Sequence, residues 1–230
     1  MKRKSCLLLM LCMMTLIVKG QKAEELILRI KEKLDKVKDY KATGTMKMNV
    51  DFIKAPVANV KVYFKKPGKL RIVNESGISL VPKGSINIDI NNIIGNISAS
   101  DIIDAGKDHK TGFRIVKLVP KDDSADVVLS ILYIDEQQYL VRKVKTTTKE
   151  NGTYEMELAY GRYTDYGLAD KVIFSFNTKD YKLPKGVSLD YDESNDKPTG
   201  SATKKDNKGI IELNYADYVI NKGVADSIFK

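Results

Sequence analysis

Apolar and polar residues alternate with a period of two along much of the chain, most clearly in residues 57–74. In the first arm of this stretch Val60, Val62 and Phe64 alternate with charged and polar positions. A period of two places the apolar set on one face of a β-sheet. Pro67-Gly68 then interrupts the run, because proline presets a turn and glycine accepts a positive φ. The stretch therefore predicts a β-hairpin.

Similar short apolar or alternating segments recur along the chain, many of them separated by turn signals such as Asn151-Gly152. The further predicted strands cover residues 43–53, 77–82, 111–119, 126–135, 138–148, 153–163, 171–180, 186–191 and 208–219. About ten strands in near-consecutive hairpins predict one antiparallel sheet, strongly curved or partly closed into a barrel. The predicted fold class is α+β, mainly β.

Residues 23–39 have the period of a helix instead. Leu26, Ile30 and Leu34 fall on one stripe at a spacing of three to four residues, and charged residues occupy the opposite face. A helix of this length is only marginally stable alone in water. We therefore predict that its apolar stripe packs on the sheet.

Isoleucines also recur in residues 84–106, among asparagine, serine and aspartate. Their spacing fits a helix face, but asparagine and glycine are poor helix formers. We interpret the segment as a partly helical flap with an apolar underside that covers the concave face of the sheet. The alternative is an ordinary loop whose isoleucines fill the core. Residues 194–207 are polar and rich in turn residues, which indicates a flexible loop.

The first twenty residues have the pattern of a cleavable secretory signal. Lys2, Arg3 and Lys4 precede an apolar run over residues 6–18, which is too short to span a bilayer. We predict a signal peptide over residues 1–20, followed by a single domain over residues 21–230. Both cysteines, Cys6 and Cys12, lie in the signal. The mature domain would then have no disulfide, thiol nucleophile or thiolate metal site.

Charge and motifs argue against several classes of function. The formal net charge of +9 falls to about +5 without the signal, which describes a solvated surface better than a nucleic-acid interface. The one histidine, His109, sits in a polar segment and is not expected to be catalytic. The chain has no nucleophile elbow, phosphate loop or metal-ligand motif. We expect no enzyme activity, no cofactor and no metal.

The chain does carry more apolar strand residues than a one-sided sheet needs. Residues 127–134 are apolar on both faces, so the strand needs cover on both sides. If the helix and flap fit loosely, the space beneath them is a cavity for acyl chains, and methionine suits such an adaptable lining. A fully packed core is the alternative. The candidate lining residues are Met46, Met48, Val50, Phe52, Val62, Phe64, Ile72, Ile90, Ile94, Met156, Leu158, Phe174 and Phe176.

Three segments carry a resemblance to a known family. Residues 34–42 (LDKVKDYKA) look like a first helix running into a first strand, and residues 63–71 (YFKKPGKLR) are similar to a basic proline turn. Residues 214–229 (NYADYVINKGVADSIF) resemble a closing segment. Together these segments resemble the LolA-like superfamily of periplasmic lipoprotein carriers.

The resemblance implies an incomplete antiparallel barrel closed by helices, with an apolar cavity that shelters lipoprotein acyl chains on their way to the outer membrane. It places Lys66 at the family's functional basic position. The implied partners are lipoprotein acyl chains or another lipid, together with inner- and outer-membrane sorting components, and a monomer is expected. Since the superfamily also includes envelope-stress sensors, the alternative is a sensing or protein-docking module without bound lipid.

Overall fold

The computed structural model describes residues 23–49, 57–74, 90–95, 97–177 and 208–229. Several predictions lie outside these ranges: the signal peptide, the strands at 77–82 and 186–191, the loop at 194–207, and the lining residues Val50 and Phe52. Within the described ranges, no helix combines the length and the apolar character that crossing a membrane requires.

Helix α1 covers residues 23–35, and α2 is the short helix Ile90–Gly95. The strands are β1 (Asp39–Asn49), β2 (Ala58–Lys65), β3 (Lys69–Asn74), β4 (Ser100–Lys107), β5 (Arg114–Pro120), β6 (Val127–Asp135), β7 (Leu140–Thr148), β8 (Thr153–Ala159), β9 (Lys171–Asn177) and β10 (Lys208–Ile220). Short 3-10 turns occupy Ile97–Ala99, Thr164–Tyr166 and Asp226–Phe229.

The ten strands form one antiparallel sheet in the order β3-β2-β1-β10-β9-β8-β7-β6-β5-β4. The predicted fold class and the single antiparallel sheet are confirmed. Among the described strands the sheet is not closed into a barrel, because β3 and β4 are its two edges. The first and last strands, β1 and β10, pair with each other in the interior of the sheet.

One face of the sheet, called here the inner face, packs against the helices. The apolar stripe of α1 is buried, with Ile27 and Ile30 almost fully enclosed. The predicted hairpin is confirmed, since β2 pairs with β3 and places Val62 opposite Ile72. Residues directly opposite in an antiparallel pair share a face, so the register extends the inner face from strand to strand. Helix α1 ends at residue 35, four residues earlier than predicted, and strand β1 already begins at Asp39.

The segment predicted as a flap over residues 84–106 is helical only in part. Helix α2 and the turn Ile97–Ala99 account for the helical portion, whereas Ser100–Lys107 is the edge strand β4. The flap prediction is wrong for this second half. Ile102 lies on strand β4 and pairs with Leu118 of β5. A β-branched side chain such as that of isoleucine packs well on a pleated sheet. Residues 84–89 lie outside the described ranges.

Strand β6 shows how the opposite, outer face is covered. Ile131 and Tyr133 face outward and are half-buried, whereas Leu132 and Ile134 are fully buried on the inner face. The register places lysines beside the outward residues, with Lys145 opposite Ile131 and Lys143 opposite Tyr133. Lysine stems can cover apolar surface while their charged ends stay in water. The lysine side chains can therefore cover Ile131 and Tyr133, and these residues do not need the second covering layer that the sequence predicted.

Candidate functional site

The inner face carries two hydrophobic clusters. The first cluster lies beneath α1 and α2 and rests on strands β5 to β9. The second cluster lies on β1, β2, β3 and β10 and includes Val37 and Leu168 from the connecting segments. The described lining candidates divide between the two clusters, so the sequence pattern grouped residues that belong to different packed units.

The first cluster contains six of the candidates: Ile90, Ile94, Met156, Leu158, Phe174 and Phe176. The second contains Met46, Val62, Phe64 and Ile72, with Met48 packed at its margin. All of these except Met48 are buried. Their role as ligand-lining residues stays a prediction.

A line of half-buried apolar residues, called here the seam, separates the two clusters. It consists of Met48, Val172 and Ile211, and Val172 and Ile211 contact both clusters. In the register Ile211 lies opposite Met48 on one side and opposite Phe174 on the other. The seam is therefore the part of the central inner face where apolar side chains remain partly accessible. Sequence reasoning missed Val172 and Ile211, because only the register shows that they lie between the clusters.

The second cluster is held by aromatic stacking. Tyr40 stacks on Phe64 with ring centroids 5.1 Å apart, and the edge of Tyr218 meets Tyr40 at 5.2 Å. The Tyr218 hydroxyl donates to the carbonyl oxygen of Ala169 at 2.7 Å. Burial raises the pKa of Tyr218 far above its ordinary value, so its hydroxyl remains neutral. This packing indicates that the second cluster is structural.

The first cluster ends at a polar pair. Ser130 and Thr146 are buried on the inner face, and their hydroxyl oxygens lie 3.2 Å apart. Burial also raises the pKa of nearby Tyr154. These neutral polar groups satisfy one another in an apolar surrounding, which limits the cost of burying them.

The turn between β2 and β3 forms a pocket against both helices. The cavity has a volume of about 260 Å³, and we call it the turn pocket. Its lining residues are Lys31, Leu34, Asp35, Lys66, Pro67, Gly68, Asn91, Ile94 and Gly95. It thus joins apolar side chains of the first cluster to the basic position that the family resemblance singled out.

Lys66 attaches this turn to the end of α1. Its Nζ donates to the backbone oxygen of Leu34 at 3.0 Å and to Oδ1 of Asp35 at 2.7 Å. Lys31 donates to the other oxygen of Asp35. Burial alone would raise the pKa of Asp35, but the hydrogen bonds and charges of the two lysines lower it overall. A cation at a helix C-terminus is also favoured by the helix dipole.

A second basic group ties the same hairpin to the C-terminal segment. Lys65 and Lys69 contact the two oxygens of Asp226 at 3.0 and 2.8 Å. Hydrogen bonds from Lys69 and then Lys65 lower the pKa of Asp226 to about 2. The turn Asp226–Phe229 therefore packs beside the edge strand β3.

Catalytic and metal-binding arrangements receive little support from the described residues. His109 is exposed in the turn between β4 and β5. In the ranges that the structure covers, no three histidine, cysteine or acidic side chains form a group that could hold a metal ion. Arg114 and Lys107 pair with Asp104 and Glu136 in an ion cluster of two positive and two negative charges. Ion clusters of this kind are commonly structural.

The fold is similar to that of several solved proteins. A Vibrio parahaemolyticus domain described as outer membrane lipoprotein-sorting matches with a TM-score of 0.57 and 12% identity, over 92% of this chain and 97% of that chain. A DUF1329 family protein from Desulfovibrio piger matches with a TM-score of 0.54 and 10% identity, over 92% of this chain and 97% of that chain. A LolA superfamily protein from Nitrosomonas europaea matches with a TM-score of 0.53 and 11% identity, over 88% of this chain and 96% of that chain.

At this identity the likeness concerns the fold, and at that level the resemblance to LolA-like proteins is confirmed. No protein-family model matches the chain. No curated protein sequence matches it either.

Proposed function

We propose that this chain, which has the fold of LolA-like proteins, binds the acyl chains of a lipoprotein or a similar amphiphile on its inner face and carries them through the periplasm. The observation that supports this function best is the seam. Met48, Val172 and Ile211 are apolar and half-buried on the inner face. Val172 and Ile211 contact both clusters, and Met48 packs against the second. An acyl chain along the seam would complete their burial.

The energetics set the length of chain that must be sheltered. Each buried methylene contributes about 0.8 kcal/mol, so ten contribute about 8 kcal/mol. Association costs about 4–15 kcal/mol in lost freedom. A short alkyl chain therefore binds weakly, whereas the burial of one or two full acyl chains can exceed the cost of association. Methionine at the seam can adapt its shape to different chains.

The cover over the first cluster is the part expected to move. Helix α2 has six residues, and it contributes Ile90 and Ile94 to that cluster. A helix this short has little stability of its own. Displacement of α2 would expose part of the first cluster and admit a chain. Such loading requires no catalysis and no cofactor.

The experiment combines native mass spectrometry with paired substitutions on strand β10. The protein is purified from an envelope extract without detergent, and any bound lipid is identified after organic extraction. Ile211→Glu places a charge on the seam. Ile210→Glu is the matched control, because Ile210 lies opposite Ser175 and Asn49 on the outer face and is likewise half-buried.

We expect an acylated adduct on the parent protein and on Ile210→Glu, and its loss from Ile211→Glu. Circular dichroism of both variants verifies that they are folded. An apo mass for the parent protein, unchanged after a purified lipoprotein is added, would overturn the carrier function and favour a docking module. Equal retention by the two variants would place the lipid away from the seam.

Export by the predicted signal and action as a monomer belong to the same proposal. The proposed route from the inner to the outer membrane rests on the fold likeness to the Vibrio parahaemolyticus domain described as lipoprotein-sorting. A fusion to a reporter that is active only after export tests the signal. Reporter activity that persists after residues 1–20 are deleted would contradict it.

A further inference from the structure

We infer that the turn pocket binds a headgroup of net negative charge, carried by the amphiphile whose chain lies on the inner face. This inference rests on the proposed function and specifies the ligand class for it. The pocket lies between α1, α2 and the β2–β3 turn, and it has space of about 260 Å³. That is room for a small polar headgroup, since one water occupies about 30 Å³ of liquid.

The charges around the pocket are unequal. Lys31 and Lys66 share the single carboxylate of Asp35. These three side chains line the same cavity and leave a surplus of one positive charge. An anionic group in the pocket would neutralise that surplus, whereas a zwitterionic or neutral group would not.

The lysines also retain hydrogen-bonding capacity. An ammonium group has three N–H donors. Lys66 uses two of them, for Leu34 and Asp35, and Lys31 uses one, for Asp35. Their side chains are 30% and 37% exposed, so water or a ligand can reach them. Charge-assisted bonds to phosphate or carboxylate are among the stronger hydrogen bonds in proteins.

The pocket borders the first hydrophobic cluster. Leu34 and Ile94 line it, and both belong to the first hydrophobic cluster. A molecule with a charged end and an apolar chain meets both requirements at this place. A free anion meets only the first, so the juxtaposition favours an amphiphile.

The hairpin supplies a matched control. Lys65 and Lys69 share Asp226 in the same two-to-one manner, and they flank the same turn. They are not among the residues that line the pocket. Substituting this pair changes the net charge of the protein by the same amount but leaves the proposed site intact.

The test measures the binding of two probes with the same acyl chain, lysophosphatidylglycerol and lysophosphatidylcholine, by the full-length mature protein. The parent protein should prefer the anionic probe by about two- to fivefold at low salt, a range typical of exposed charge pairs. Lys31→Gln combined with Lys66→Gln should remove the preference. Lys65→Gln combined with Lys69→Gln should keep it.

Asp35→Asn provides the opposite change. Removing the shared carboxylate frees both lysines, so affinity for the anionic probe should rise while affinity for the zwitterionic probe stays constant. A purely structural contact between Lys66 and Asp35 predicts no such gain. Inorganic phosphate, added as a competitor, distinguishes the sources: strong competition at equal concentration would show a free-anion site rather than a headgroup site.

The outcomes separate this inference from the proposed function. Equal binding of both probes by the parent protein would overturn the headgroup site and leave acyl-chain binding intact. Failure of both probes to bind would overturn the proposed function, and the inference with it. Equal loss of preference in both lysine pairs would assign the effect to the net charge of the protein and contradict a site in the pocket.

Discussion

Gly44 lies so close to the backbone of Asn214 that a Cβ atom on the glycine would stand 2.1 Å from the asparagine carbonyl oxygen. Strands β1 and β10 meet here at an irregularity, where the register shifts between Thr43 and Gly44. A β-bulge often requires glycine because one backbone approaches another. The contact is with backbone atoms, so it cannot be relieved by moving a side chain.

Gly44→Ala should therefore destabilise the protein by about 1–3 kcal/mol, the usual cost of forcing extra atoms into a packed place. Urea unfolding followed by circular dichroism measures the change. Gly95→Ala is the control, because nothing lies within 4 Å of a Cβ added there. Equal stability of the two variants would contradict the close approach.

Met48 and Phe174 differ in burial, and this difference predicts different responses to charge. Phe174 is 2% exposed within the first cluster, so Phe174→Glu should prevent folding. Met48 is half-buried at the seam, so Met48→Glu should fold and lose bound lipid. Thermal unfolding and native mass spectrometry of both variants test this. A folded Phe174→Glu protein that retains lipid would show that the inner face is not the binding face.

Removal of the contact between the β2–β3 turn and α1 should have a modest effect on stability. Lys66→Ala loses the bonds to Leu34 and Asp35, and the Lys66 side chain is 30% exposed. Exposed ion pairs contribute about 0.2–1 kcal/mol, so the free energy of unfolding should fall within that range. Lys66→Arg should restore most of it. A loss above about 3 kcal/mol, the scale of breaking a buried pair, would indicate that the turn supports the whole sheet.

The C-terminal turn should detach from the hairpin only in strong acid. The lysines lower the pKa of Asp226 to about 2, from the ordinary 3.8. A lowered pKa in the folded state adds stability above the unfolded pKa, and this stability is lost as the pH falls through the folded value. The protection of the Asp226–Phe229 amides from hydrogen exchange, measured against the intrinsic exchange rate at each pH, should stay constant down to about pH 4 and fall towards pH 2. In Asp226→Asn the exchange should already be raised at neutral pH. Release of the parent segment above pH 5 would contradict the ion pairs.

Local patterns in the sequence predicted the strands well. Val60, Val62 and Phe64 alternate with polar residues and are buried together in the structure. Such a pattern depends only on residues that are close together in the chain, so a single sequence is enough to predict it. Strand β4 was missed because Ile102 and Ile103 follow an asparagine-rich helix, and the isoleucine spacing was assigned to that helix.

The site depends on relationships that local patterns do not contain. The alternation placed Met48 and Phe174 on strand faces, but only the register shows that Ile211 lies between them. The resemblance placed Lys66 at a functional turn, yet its partner Asp35 comes from a helix elsewhere in the chain. Long-range pairing and the packing of separate elements decide both features, and a single sequence does not specify them.

The adjacency of β1 and β10 has a consequence for how the protein acquires its structure. Tyr40 pairs with Ile220, so a central pair of strands joins residues from near opposite ends of the chain. Contacts between distant residues slow folding, because a long loop must close before they form. During synthesis the first three strands must wait until the last is made. Among the described strands only β10 joins β1–β3 to β4–β9, so a chain without β10 would leave the edges of β1 and β9 unpaired and prone to aggregation. A general chaperone that covers these edges would therefore raise the yield of folded protein.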